Sequence, residues 1–129
     1  MNRFALWIPR LAAAAILIPV AYGKLTASPS EVALFMSLGM EPQGRIIIGM
    51  VELTAGALLL SPQAASGALL AVSVMCGAII AHVTVLGIDL RHAWLLLTVL
   101  LSSLIVLYVN RGDLPIVGRT FGSGSRSVP

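Results

Sequence analysis

Long apolar runs constrain this chain more than any other feature it carries. Four of them, Phe4 to Gly23, Arg45 to about Leu60, Ser66 to Gly87 and about Ala93 to Val109, hold very little charge and are divided by polar turns. A helix needs about 20 apolar residues to cross a hydrocarbon core of about 30 Å, where its backbone groups must be satisfied internally. The expectation is therefore an all-α membrane protein, a four-transmembrane-helix bundle filling residues 1–114 with a short interfacial helix between helices 1 and 2. The second run is short for a full crossing, so a thinned bilayer or a buried half-span stays open there.

Composition agrees with a bilayer as solvent. The chain is 58% hydrophobic and 10% charged, whereas a soluble domain runs nearer 45 to 50% and about 25%. Its net charge of +3 sits at span ends and in the tail, a distribution that reports topology and argues against nucleic acid as a partner. Arg3, Arg10, Arg111, Arg119 and Arg126 fall on the side of both termini, and Lys24, Arg45 and Arg91 fall opposite. This excess predicts cytoplasmic termini. The first run, ending in Ala21-Tyr22-Gly23, also has the pattern of a signal peptide, but three further runs favour a retained helix with Pro9 in its first turn and Trp7 and Arg10 as interfacial anchors.

The connections carry their own signals. Ser28-Pro29-Ser30-Glu31 reads as a capping box, with Pro29 at the first helical position and Glu31 reaching back to the cap. It predicts a short helix on the membrane surface or over the bundle mouth, with Val32, Phe35 and Met36 on one face and Gly39 as its stop. Asp89 is the expected cap of the last helix. Ser73, Gly77 and Ala81 recur at a spacing that lets helices approach closely and are the expected packing face of the third run. Ser102 and Ser103 are expected to bond back to their own helix. Cys76 stands alone, which excludes an internal disulfide, and reads as a small buried hydrophobe. Residues 115–129, rich in Gly and Ser, read as a flexible tail.

Two ionisable residues lie well inside apolar runs: Glu52 and His82. A charge at membrane depth costs about 2.5 to 3.5 kcal/mol on insertion scales, so such residues normally face the protein and find partners. At about 1.5 Å per residue, Glu52 lies about 10 Å, His82 about 8 Å and Thr98 about 9 Å from the side opposite the termini, and Lys24 can snorkel towards them. Lys24, Glu52, His82 and Thr98 are thus the candidate polar cluster. Two readings stay open: a hydrogen-bonded network that fixes helix register, or a pocket whose carboxylate and imidazole exchange a proton with a quinol-like head group. One His and one Glu make a poor metal site, and no phosphate loop or nucleophilic triad is present.

Four stretches carry a family resemblance: Ala21-Tyr22-Gly23-Lys24-Leu25-Thr26, Gly39-Met40-Glu41-Pro42-Gln43-Gly44-Arg45, Val51-Glu52-Leu53-Thr54-Ala55-Gly56 and Ala81-His82-Val83-Thr84-Val85-Leu86-Gly87-Ile88. Together they resemble the DoxX family over roughly Ala5 to Leu114. The resemblance implies a small four-helix protein of the bacterial inner membrane, and it carries over Arg10, Lys24, Glu52 and His82. It implies an accessory role in a membrane oxidoreductase or redox-stress system, with a quinone as the candidate cofactor. The alternative it leaves is an assembly or structural subunit. Expected partners are the lipid bilayer and a membrane protein or a second copy of the chain.

Overall fold

The computed structural model describes residues 3–113, and all the regular structure among them is helical. The Gly/Ser-rich tail lies outside the described residues. The order is α1 (Arg3–Leu25), α2 (Pro29–Ser37), α3 (Gln43–Leu59), α4 (Ala64–Ala81) prolonged by a π-helical turn (His82–Leu86), and α5 (Leu90–Val109), followed by a single 3₁₀ turn (Arg111–Asp113). α1, α3, α4 and α5 run alternately up and down and close into a ring, α1 against α3, α3 against α4, α4 against α5 and α5 back against α1. α2 lies over one end of this bundle, touching α1, α3 and the π-helical turn.

Among the described residues three helices are long and apolar enough to cross a membrane: α1, α4 with its extension, and α5. They mark a multi-pass membrane protein. The expected fourth span is not among them, because α3 has 17 residues, about 25 Å at 1.5 Å per residue and short of the core thickness. Pro42 precedes it and Ser61-Pro62 follows it, so the helix has no room to lengthen.

Why the four helices pack is visible in which positions they bury. Arg10, Ala14, Leu17, Ala21 and Lys24 on α1 face Arg45, Gly49, Glu52, Gly56 and Leu59 on α3, each set stepping by four and three residues. α4 buries Ala64, Ala68, Ala71 and Met75 with the same steps, and α5 buries Val99, Ser103 and Val106. A 3.5-residue stripe keeps one seam turned inward along a gently supercoiled bundle. The opposite faces show Ile8, Leu11, Met50, Ile80, Leu97, Leu101 and Ile105 to the surroundings, as a bilayer requires.

Small residues set the helix spacing, though not the ones the sequence suggested. A Cβ at Gly67 would stand 2.7 Å from the Leu59 backbone N and 2.8 Å from the Ala55 carbonyl O, and one at Gly56 would stand 2.7 Å from Ile18. Ser73 and Gly77 are exposed, and nothing lies within 4 Å of a Cβ at Gly77. They sit off the α4 stripe, as does Cys76, which is exposed one step past the buried Met75 and is not the core residue expected.

The local signals resolve individually. Pro29 opens α2 and Gly39, at φ +70°, ends the segment as expected. Asp89 caps α5 by accepting the Arg91 amide at 3.0 Å. The capping box does not form: Ser28 makes no side-chain cap bond, and Glu31 turns to Lys24 instead. Pro9 lies in the second turn of α1 and not the first, because the helix starts at Arg3. Ser103 is fully buried and its hydroxyl takes no hydrogen-bond partner, so the expected back-bond is not made there.

Candidate functional site: an ionic cluster over an apolar cavity

Lys24 is the centre of the site. It ends α1, only 7% exposed, and its Nζ lies 3.1 Å from Glu52 Oε2 on α3 and 3.5 Å from Glu31 Oε2 on α2. Gly49, one turn before Glu52, makes the approach feasible, since a Cβ there would stand 3.0 Å from Lys24 Cβ. Glu52 is 3% exposed, so its charge is offset by this ammonium rather than by solvent.

Two arginines lace α1 to α3 at opposite ends. Arg45, itself buried, donates from Nε to both oxygens of Glu41 (3.0 and 2.9 Å) and from Nη1 to the Lys24 carbonyl, one of the unpaired acceptors at the end of α1. Arg10 does the reverse, donating from Nε to the Leu59 carbonyl and from Nη2 to the Ser61 carbonyl, each at 2.6 Å. Its guanidinium also lies 3.8 Å from the Trp7 ring centroid. The expected interfacial anchor thus also caps α3.

Below Lys24 the bundle opens into a cavity of about 320 Å³. Its polar end is formed by Lys24, Glu31, Glu52, His82 and His92, and its walls by Leu17, Met75, Leu96, Val99 and other apolar side chains. His82 starts the π-helical turn, and its Nδ1 lies 2.8 Å from the Ala78 carbonyl O. His92 faces it with ring centroids 6.2 Å apart, its own Nδ1 3.3 Å from Asp89 Oδ2. π-helical turns recur where a helix is adapted to function.

Of the four expected residues, the structure brings Lys24, Glu52 and His82 to one cavity and leaves Thr98 out. The Thr98 hydroxyl donates to the Trp94 carbonyl at 2.7 Å, while Leu95, Leu96 and Val99 supply that part of the wall. Thr98 was chosen on depth alone, and its direction around α5 keeps it off the cavity wall. Glu31 and His92 were missed. Each looked like a helix-end residue, and only the fold of α2 over α1 and the turn before α5 bring them to the site. Among the described residues no group of three His, Cys, Asp or Glu is arranged to hold a metal ion.

The cluster has one ammonium and two carboxylates next to a ring that can accept or donate, with an apolar space below it. That arrangement can hold the polar head of an otherwise apolar molecule and exchange a proton with it. No family model matches this chain, and no curated protein or solved structure matches it either.

Proposed function

We propose that this chain is a DoxX-like integral protein of the bacterial inner membrane, an accessory subunit of a membrane oxidoreductase or redox-stress system whose cavity binds a quinone-like molecule. The observation that carries the reading is the cavity itself, apolar along its walls and ending at Lys24, Glu52 and His82. Its volume of about 320 Å³ falls at the lower end of the range of about 300 to 1,000 Å³ usual for small-molecule sites. A carboxylate and an imidazole beside a ring with two oxygens are the groups that proton exchange needs.

In this reading α3 completes the return path between the longer spans. Arg10 to Lys24 and Arg45 to Leu59 are both fourteen steps along a helix, about 21 Å each, and the two arginine lacings join their ends. Both termini lie in the cytoplasm. Supporting that orientation, Trp7 with Arg10 and Tyr108 with Arg111 form aromatic–arginine pairs at the same end of the bundle.

The test is to purify wild type and Glu52→Gln in mild detergent and identify the extracted small molecules and co-purifying polypeptides by mass spectrometry. A quinone carried by wild type and lost from the variant is the expected result. A second reading, a non-catalytic assembly subunit, is favoured by the open groove of about 370 Å³ beside Phe35, Ser73, Gly77 and Ala81. It predicts one membrane complex retained equally by both proteins, with no small molecule.

A further inference from the structure

The polar end of the cavity holds more acceptors than donors, its donors being the Lys24 ammonium and the Ser30 hydroxyl, which already lies 3.3 Å from the Ser28 hydroxyl. Its one ammonium is shared by Glu52 at 3.1 Å and Glu31 at 3.5 Å. Oε2 of each carboxylate, the oxygen that faces this ammonium, is shielded from solvent and has no partner besides it. His82 adds to this imbalance. The Ala78 carbonyl O beside its Nδ1 can only accept, so the neutral ring carries its proton on Nδ1 and keeps a bare lone pair on Nε2. His92 also lines this end, with its Nδ1 3.3 Å from the Asp89 carboxylate.

Resting on the reading of the cavity as a quinone-like site, we infer that it selects the hydroxyl-bearing form of the head group, a quinol or phenol, over the carbonyl-bearing quinone. A quinol brings O–H donors to the carboxylates and to Nε2. A quinone brings only acceptors and finds Lys24 as its one strong donor. Desolvated acceptors left without a donor are costly, and a site built for a hydroxyl discriminates against the analogue that lacks it.

The experiment is isothermal titration calorimetry on the full chain in lipid nanodiscs with three probes of matched alkyl chain: an alkylresorcinol, an alkyl-1,4-benzoquinone and an alkylammonium. The resorcinol is redox-inert and carries the same kind of donor as a quinol. It is expected to bind about tenfold more tightly than the quinone, the difference made by about one net hydrogen bond. His82→Phe, which removes Nε2 from the cavity wall, is expected to bring the resorcinol-to-quinone affinity ratio towards one, and a preference kept in full by this variant overturns the role given to that nitrogen. Equal or tighter binding of the quinone overturns the inference and leaves the pocket standing. Tightest binding by the alkylammonium overturns it in favour of charge recognition. Binding of none of the three removes both the inference and the pocket on which it rests.

Discussion

The two ends of the bundle are held by different physics. At the Arg10 end the helices meet backbone to backbone: Gly67 lies against Leu59 and Ala55, Ala64, Ala65 and Ala68 are buried, and Arg10 closes the last carbonyls of α3. At the Lys24 end α1 and α3 still meet closely at Gly49, but α1, α4 and α5 line a cavity, and an ammonium between two carboxylates joins α1, α2 and α3. Close packing leaves no room for a ligand, while an ionic cluster spans a gap and keeps it polar. The difference teaches that α4 does two jobs along one helix, a spacer of small residues up to Met75 and a cavity wall ending in a π-helical turn beyond it.

The sharpest way to break this contrast is Lys24→Met. It leaves Glu31 and Glu52 facing one another without their cation, and the loss of stability should be about 3 to 5 kcal/mol, the usual consequence of stranding buried charge. Denaturant unfolding in mild detergent reads it directly. A loss under about 1 kcal/mol would show that the end is not held by charge.

At the other end Arg10→Met removes the donors to Leu59 and Ser61. The charge-assisted bonds involved set an expected loss of about 2 to 3 kcal/mol, seen as a lower thermal midpoint. Cavity binding should persist in this variant, because Arg10 lies a helix length from Lys24. If binding disappears with it, the two ends are coupled and the contrast fails.

The smallest effects come from one substitution made twice on α4. Gly67→Ala pushes a methyl into backbone atoms that cannot move aside and should destabilise by about 2 kcal/mol. Gly77→Ala meets nothing and should be neutral or stabilising by up to about 1 kcal/mol through helix propensity. Equal responses in paired unfolding curves would mean that α4 packs uniformly along its length.

Much of this was legible in the residues. The apolar runs marked every long helix, Pro29, Gly39 and Asp89 marked their ends, and the buried positions of α1 and α3 follow a four-and-three spacing written in the chain. Glu52 and His82 stood out because an ionisable group deep in an apolar run demands a partner, and Lys24 because it ends its helix within reach of them. Direction was less legible than depth. Thr98 and His82 lie at similar depth, yet only His82 lines the cavity, because a helix turns about 100° per residue and depth carries no azimuth. Small residues misled for a related reason: Ser73, Gly77 and Ala81 step by four and four, close to the four and three of the buried Ala64, Ala68 and Ala71, and whether such a row is a contact depends on what stands opposite.

By itself the sequence determined the solvent and the elements: a chain this apolar, with so little charge between its turns, must bury its backbone in helices and surround them with lipid. It also determined that Glu52 would need a partner. Only the tertiary structure decided that this partner is the Lys24 ammonium, that Glu31 leaves its own cap to join them, and that His92 comes round to face His82. Helices follow from short-range bonds and the solvent, whereas the cavity follows from how four rigid cylinders meet, and that depends on contacts between residues far apart in the chain.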